Sequence, residues 1–111
     1  MLVKRYINNK SYAVEMGEPL YNQGFDTDSG IIRFALINTN KSKVKYDIVE
    51  VSTGMTLIHN VGRLKKIAFV RICMLFCILG SEKIKSRMSE HEKIEDLPLW
   101  KEEDEDNKNE E

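Results

Sequence analysis

Two cysteines and two histidines are the side chains in this sequence best suited to metal binding or nucleophilic catalysis. The cysteines lie four residues apart in the segment "CMLFC", and neither histidine is close to them in sequence. Zinc sites pair cysteines as C-x2-C, and a catalytic thiolate needs an electropositive, partly exposed position. Because Cys73 and Cys77 sit in an apolar segment at a different spacing, the sequence predicts free, packed thiols without a metal or cofactor.

The segment "GFDTDSG", residues 24–30, has the D-x-D spacing with which a calcium-binding loop begins. It lacks the third oxygen ligand, and Ala35 occupies the position of the bidentate glutamate. The sequence also contains no P-loop, no G-x-G-x-x-G, no H-E-x-x-H and no G-x-S-x-G motif. We therefore expect no catalytic site and no enzyme activity.

Basic residues form the main candidate for a binding surface, because phosphate contacts need clustered lysines and arginines. The candidate nucleic-acid- or partner-binding residues are Arg33, Lys41, Lys43, Lys45, Arg63, Lys65 and Lys66. Lysines on strand edges also prevent unwanted strand pairing, and no RNP-like aromatic pair accompanies this set. Nucleic-acid binding and edge protection therefore both stay open.

Two aromatic residues, Tyr21 and Phe25, stand in a segment (17–30) whose glycines, proline and aspartates predict a long loop. Loops held by a rigid scaffold often carry binding residues. An aromatic ring also removes a large apolar area from water when it covers a core. We favour the second role for both rings and keep them as candidate loop contacts.

Charge divides the chain into two parts. Residues 1–94 carry 15 lysines and arginines against 9 acidic residues, whereas residues 95–111 carry 2 against 9. The first part therefore has a net charge of +6 and the second a net charge of −7. We expect one domain over residues 1–94 and a disordered acidic tail over residues 95–111.

Alternation of apolar and polar residues predicts strands in the first half of the chain. These segments are 2–7, 10–16, 31–38, 44–51 and 55–60, and "YDIVEVSTGMTLIHN" is the strongest hairpin signal. The segment 31–38 is almost continuously apolar, which is typical of a central strand covered on both faces. The pattern indicates an antiparallel meander of three to five strands.

The apolar segment "KKIAFVRICMLFCILG", residues 65–80, admits three interpretations: a membrane segment, a strand or a core helix. Its central part, 67–79, is shorter than the roughly 20 residues of a transmembrane helix, and it contains a charged residue, Arg71. It is also much longer than an average strand. The sequence therefore predicts a buried helix over 63–79 that packs on the sheet, giving an α+β domain, followed by a polar second helix over 82–94.

Arg71 is the one charged residue within 67–79. A guanidinium there must reach solvent, pair with a carboxylate such as Asp47 or Glu50, or lie in an interface with a partner chain. We keep a buried charge and an interface residue as the two functional alternatives. A helix this apolar also predicts surplus surface that a second copy of the chain would cover in a homodimer.

These observations predict a small, non-catalytic binding or regulatory protein that acts through protein–protein interaction, in the manner of bacterial or phage accessory proteins and inhibitors. Two alternatives remain: nucleic-acid binding by the basic face with the acidic tail as an autoinhibitor, and peripheral membrane association through 67–79. The N-terminal segment lacks the apolar region of a signal peptide, and two cysteines are too few for a disulfide scaffold. We therefore expect a cytoplasmic protein.

Overall fold

The structure, a computed structural model, describes residues 1–40 and 42–101 of the chain. Its elements are β1 (Leu2–Ile7), β2 (Lys10–Glu15), β3 (Tyr21–Thr27), β4 (Gly30–Asn38), β5 (Tyr46–Glu50), β6 (Met55–Ile58), α1 (Lys65–Leu79), α2 (Ser81–Ser89) and a 3-10 turn (Ile94–Asp96). An antiparallel sheet and two helices confirm the predicted α+β class. The sheet has four strands, and two further strands form a separate hairpin.

The four-stranded sheet is a meander in which neighbours in sequence are also neighbours in space, in the order β3-β4-β5-β6. Strand β4 is an inner strand, and its residues 34–37 are buried on both faces, as the apolar sequence predicts. Phe34 and Leu36 point to one face and Ala35 and Ile37 to the other, and all four side chains are fully buried. The sheet therefore needs a cover on each side.

The β1–β2 hairpin covers one face of the sheet. Asn8 and Asn9 both have positive φ, which is the geometry of a tight two-residue turn. Val3 of β1 is fully buried and forms a small apolar cluster with Ile37 and Val49 of the sheet. The sequence of β1, LVKRYI, does not alternate and does not show which of its side chains is buried against the sheet.

Helices α1 and α2 cover the other face of the sheet. Ala68 and Ile72 of α1 and Ile84 of α2 are buried in one core cluster with Phe34 and the neighbouring sheet residues. Gly80 separates the helices at φ 81°, a left-handed value that glycine adopts without strain. The chain thus forms three layers: hairpin, sheet and helices.

The segment 17–30 is not the predicted long loop, because seven of its residues form β3 at the sheet edge. Gly24 lies opposite Arg33 on β4, and a Cβ at this position would come within 3.0 Å of Ile31 Cγ2. The glycine that suggests a loop therefore allows close packing within a strand. Asp28 and Ser29 form the tight turn that connects β3 to β4.

The last described residues return to the hairpin. The Ala13 amide donates to the Pro98 carbonyl and the Trp100 amide donates to the Ala13 carbonyl, both at 2.9 Å. The Trp100 ring meets Tyr12 edge-on, with the ring centroids 5.0 Å apart. The chain is therefore paired with the body as far as Trp100. Residues 102–111, which include most of the predicted acidic tail, lie outside the described residues.

Candidate interaction surface on helix α1

An aromatic cluster fixes α1 on the sheet. Phe25 of β3 lies at its centre, with its ring centroid 5.8 Å from Phe34, 5.6 Å from Phe69 and 5.8 Å from Phe76. Phe34 and Phe76 also meet edge-on at 5.7 Å. Edge-on and tilted aromatic contacts stabilise the fold beyond the free energy gained by burying apolar area. Because these contacts depend on direction, they define the rotation of α1 about its own axis.

The opposite side of α1 faces solvent although it is apolar. Its exposed residues, which we call the outer face, are Ile67, Val70, Met74, Cys77 and Ile78. The exposed fraction of the large apolar members rises from 44% for Ile67 to 74% for Ile78. Residues at positions i, i+3, i+7 and i+10 follow one line along a helix, so the outer face is a continuous stripe.

This exposure refines the prediction of a buried helix. Only Ala68 and Ile72 of α1 are fully buried, because the sheet contacts the helix along one side. The sequence of α1 is apolar on all sides and therefore does not show which side faces the sheet. Contiguous apolar surface is uncommon on a monomeric protein and marks sites of interaction.

Arg71 lies at the border of the outer face and is exposed, so the structure excludes the buried charge that the sequence allowed. The two proposed carboxylate partners have other roles. Asp47 accepts hydrogen bonds from the Thr39 hydroxyl at 2.6 Å and from the Asn60 amide at 2.8 Å. Glu50 accepts bonds from the backbone and hydroxyl groups of Ser52 and Thr53.

The N-terminal end of α1 carries positive charge above aromatic rings. Lys65 Nζ lies 5.1 Å from the centroid of the Tyr21 ring, and the Arg63 guanidinium lies 5.7 Å from the Tyr46 ring. Burial, and to a smaller degree Cys73, raises the pKa of Tyr21 above its usual value of 10.0. Tyr21 and Phe25, the candidate loop contacts, therefore lie on a strand and pack beneath α1.

The predicted basic residues do not all lie together. Lys43 and Lys45 precede Tyr46, whose ring contacts Arg63, so they share one end of the sheet with the start of α1. The Arg33 carbonyl instead accepts a hydrogen bond from the Val51 amide, at the other end of β5. Five residues of extended chain separate these ends by roughly 17 Å. Lys41 lies outside the described residues.

The two cysteines depart in one respect from the prediction that both are packed thiols. Cys73 and Cys77 are both free, but Cys77 is exposed on the outer face and only Cys73 is partly buried. His59 Nδ1 lies 3.4 Å from an oxygen of Asp47. Within residues 1–40 and 42–101, no group of three or more histidine, cysteine, aspartate or glutamate side chains could hold a metal ion.

A second surface feature is an open cleft of about 640 Å³ at the far end of the sheet from Lys45. It is lined by the start of β4, the turn after β5, α2 and the residues that follow α2. Its charged and titratable lining residues are Arg33, Glu50, Lys85, His91 and Lys93. Glu50 is buried and fully hydrogen-bonded to the turn, so the accessible charge of the cleft is positive.

Comparisons with protein-family models, curated proteins and solved structures give no match to this chain. Among the helices of the described residues, none has the length and apolar character needed to cross a membrane. The candidate site therefore depends on geometry alone, and the outer face of α1 is its most distinctive feature.

Proposed function

We propose that this protein is a non-catalytic binding protein that acts through protein–protein contact, with the outer face of α1 as the contact surface. The observation that carries this proposal is the exposure of Ile67, Val70, Met74 and Ile78 in one continuous stripe. Covering such a stripe removes apolar area from water at about 25 cal/mol per Å². A polypeptide surface of matching shape is the partner class that this gain favours.

The rigidity of α1 supports the proposal. The Phe25 cluster holds the opposite side of the helix, so the outer face is formed before a partner arrives. A preformed surface loses little conformational entropy on binding. Met74 adds an adaptable side chain at the centre of the stripe, and Arg71 at its border is a residue type enriched in interfaces.

The partner's charge follows from the charge of α1. The helix carries Lys65, Lys66 and Arg71 and no carboxylate. A partner surface that is neutral or negative opposite the N-terminal end of α1 therefore fits better than a basic one. A regulatory or accessory role in the cytoplasm, where free cysteines stay reduced, completes the proposal.

Nucleic-acid binding is a second candidate, favoured by one observation. Lys43, Lys45, Arg63, Lys65 and Lys66 lie towards one end of the sheet, near the start of α1. A gel-shift titration of the full chain with duplex and single-stranded probes tests it. Affinity that falls steeply with salt and is lost on replacing Lys65 and Lys66 by Gln supports this candidate. No shift at low salt rejects it.

Site-specific photo-crosslinking tests the protein-contact proposal. A photoreactive amino acid replaces Met74 on the outer face, and in a control chain it replaces Val44, which is 75% exposed but lies on a loop. Both full-length chains are irradiated in the cells that produce the protein. Polypeptide adducts from position 74 that are absent from position 44 support the proposal. Equal adducts from both positions, or none from position 74, contradict it.

A further inference from the structure

We infer that the occupant of the outer face is a second copy of this chain, whose α1 packs antiparallel to the first across a two-fold axis. This inference rests on the proposed function and names its partner. Three properties of α1 carry it: the symmetric spacing of the exposed residues, the distribution of charge along the helix, and the limited size of the stripe.

Four of the five outer-face residues have the same spacing in both directions along the helix, and the fifth, Ile78, does not share this symmetry. Ile67, Val70, Met74 and Cys77 are separated by three, four and three positions, which is the a/d spacing of helix pairs. A two-fold axis at the level of Ile72 therefore places Ile67 opposite Cys77 of the second copy and Val70 opposite its Met74. A two-fold interface requires this kind of self-complementarity.

Charge selects the antiparallel direction. Lys65 and Lys66 lie in the first turn of α1, next to the positive end of the helix dipole, and the last turn carries no basic residue. Antiparallel packing brings these lysines to the negative C-terminal end of the dipole of the other α1, where the charges of the next two charged side chains, Glu82 and Lys83, offset each other. Parallel packing would instead place the two basic ends together.

The size of the stripe predicts a reversible dimer. An α-helix of 15 residues is about 22 Å long, and its contact surface is about 10 Å wide. This footprint is about 220 Å² per copy, or about 440 Å² in total, which is below the size of stable specific interfaces and in the range of weak, transient ones. Monomer and dimer are expected to exchange as the protein concentration changes.

Arg71 opposes this packing. The proposed axis places Arg71 of both copies on the same side of the interface, close to the centre. Their aliphatic stems can cover apolar surface while the guanidinium groups stay in water, but the like charges repel. Replacing Arg71 by an uncharged residue of similar length is therefore expected to tighten the dimer.

Sedimentation equilibrium of the full chain over a wide dilution series is the first arm of the test. The wild-type protein is expected to show a monomer–dimer equilibrium. Met74→Glu should weaken the dimerisation by about tenfold or more, because it buries a carboxylate at the centre of the interface. Val44→Glu, with the same added charge at an exposed loop position, should leave the equilibrium unchanged. Circular dichroism spectra verify that each variant is folded.

Engineered cysteines test the antiparallel register. In a Cys73→Ser background, Ile67→Cys is combined with the native Cys77, and a mild oxidant is added. Within one helix these two positions are about 15 Å apart, too far for a disulfide, so a covalent dimer linked between residues 67 and 77 requires antiparallel copies. A Val44→Cys chain in the same background, which should form no such link, controls for random collision.

A wild-type protein that stays monomeric throughout the dilution series overturns the inference. A covalent dimer of the Ile67→Cys chain that is linked only between the two Cys77 residues also overturns it. A dimer that Met74→Glu leaves intact overturns it too. If the protein is monomeric but position 74 still crosslinks to a different polypeptide in cells, self-pairing fails while the proposed protein-binding function stands. Binding of the monomer to anionic lipid vesicles, with no polypeptide adduct, contradicts both.

Discussion

Ile72 and Met74 lie two positions apart on α1 and face opposite directions: Ile72 is completely buried against the sheet, whereas 52% of the Met74 surface is exposed. Two residues of similar size and apolarity therefore have different roles. Ile72 holds the helix on the sheet, and Met74 stands at the centre of the outer face. This relationship separates the residues that support the fold from those available to a partner.

Ile72→Ala should lower the free energy of unfolding by about 2–5 kcal/mol, because it removes buried methyl groups and leaves a cavity between α1 and the sheet. Ile78→Ala, at the most exposed position of the outer face, should change the free energy of unfolding of the monomer by about 0.5 kcal/mol or less. Urea denaturation at low protein concentration measures both. Equal losses would show that α1 contacts the sheet through a different side.

Glu50→Gln should destabilise the fold by about 1–3 kcal/mol. The carboxylate accepts hydrogen bonds from the backbone amides of Ser52 at 2.7 Å and Thr53 at 3.1 Å, and from both hydroxyls. In glutamine, an NH2 group replaces one of the accepting oxygens, so some of these amides and hydroxyls would lose their acceptor. Glu18→Gln, at an exposed loop position, is the matched control. Thermal unfolding compares the two, and a wild-type-like Glu50→Gln protein would refute this role.

Tyr21 should lose its proton at a higher pH than an ordinary tyrosine, because burial, and to a smaller degree Cys73, raises its pKa. The folded protein keeps this proton at a pH where the unfolded chain has lost it. The contribution of Tyr21 to the stability is therefore present below pH 10 and is lost as the pH rises through the raised pKa. The difference in tyrosinate absorbance between wild type and Tyr21→Phe follows this group. A midpoint at or below 10 would contradict the burial.

Arg71→Met should tighten self-association by about two- to fivefold, because it removes the repulsion between like charges near the two-fold axis. Arg5→Met, an exposed position on β1, removes the same charge away from the outer face and should have no effect. Analytical ultracentrifugation of the three proteins measures the change. Weaker association of Arg71→Met would indicate that Arg71 binds an acidic group rather than facing its own copy.

Residues 31–38 show which structural features can be predicted from sequence. A short, almost uninterrupted apolar run with β-forming residues is typical of a strand with both faces covered, and residues 34–37 of β4 have this environment. The segment 17–30 shows the opposite case. Its glycines and aspartates are typical of a loop, yet Gly24 allows β3 to pack closely against Ile31 and Arg33. The local sequence of 17–30 favours a loop, whereas packing between β3 and β4 favours a strand. That packing cannot be read from the local sequence.

The candidate site was predictable only in part. The apolar segment 67–79 indicates a helix by its length, but apolar residues on all sides of a helix do not show which side the sheet covers. The outer face follows from which side of α1 is buried against the sheet and from the contacts of Phe25 with Phe69 and Phe76, which are properties of the whole fold. For the same reason, the sequence shows that Arg71 is unusual without showing that it is exposed.

A methyl-detected NMR dilution series tests most directly the central claim that the outer face of α1 pairs with the same face of a second copy. Signals of Ile67, Ile78 and Met74 are followed as the concentration of the full chain falls, together with those of Ile31, which is 60% exposed and lies on β4. We predict that the methyl signals of the three α1 residues shift together while the signal of Ile31 stays constant. Concentration-independent α1 signals, or shifts confined to Ile31 and its neighbours, would contradict it.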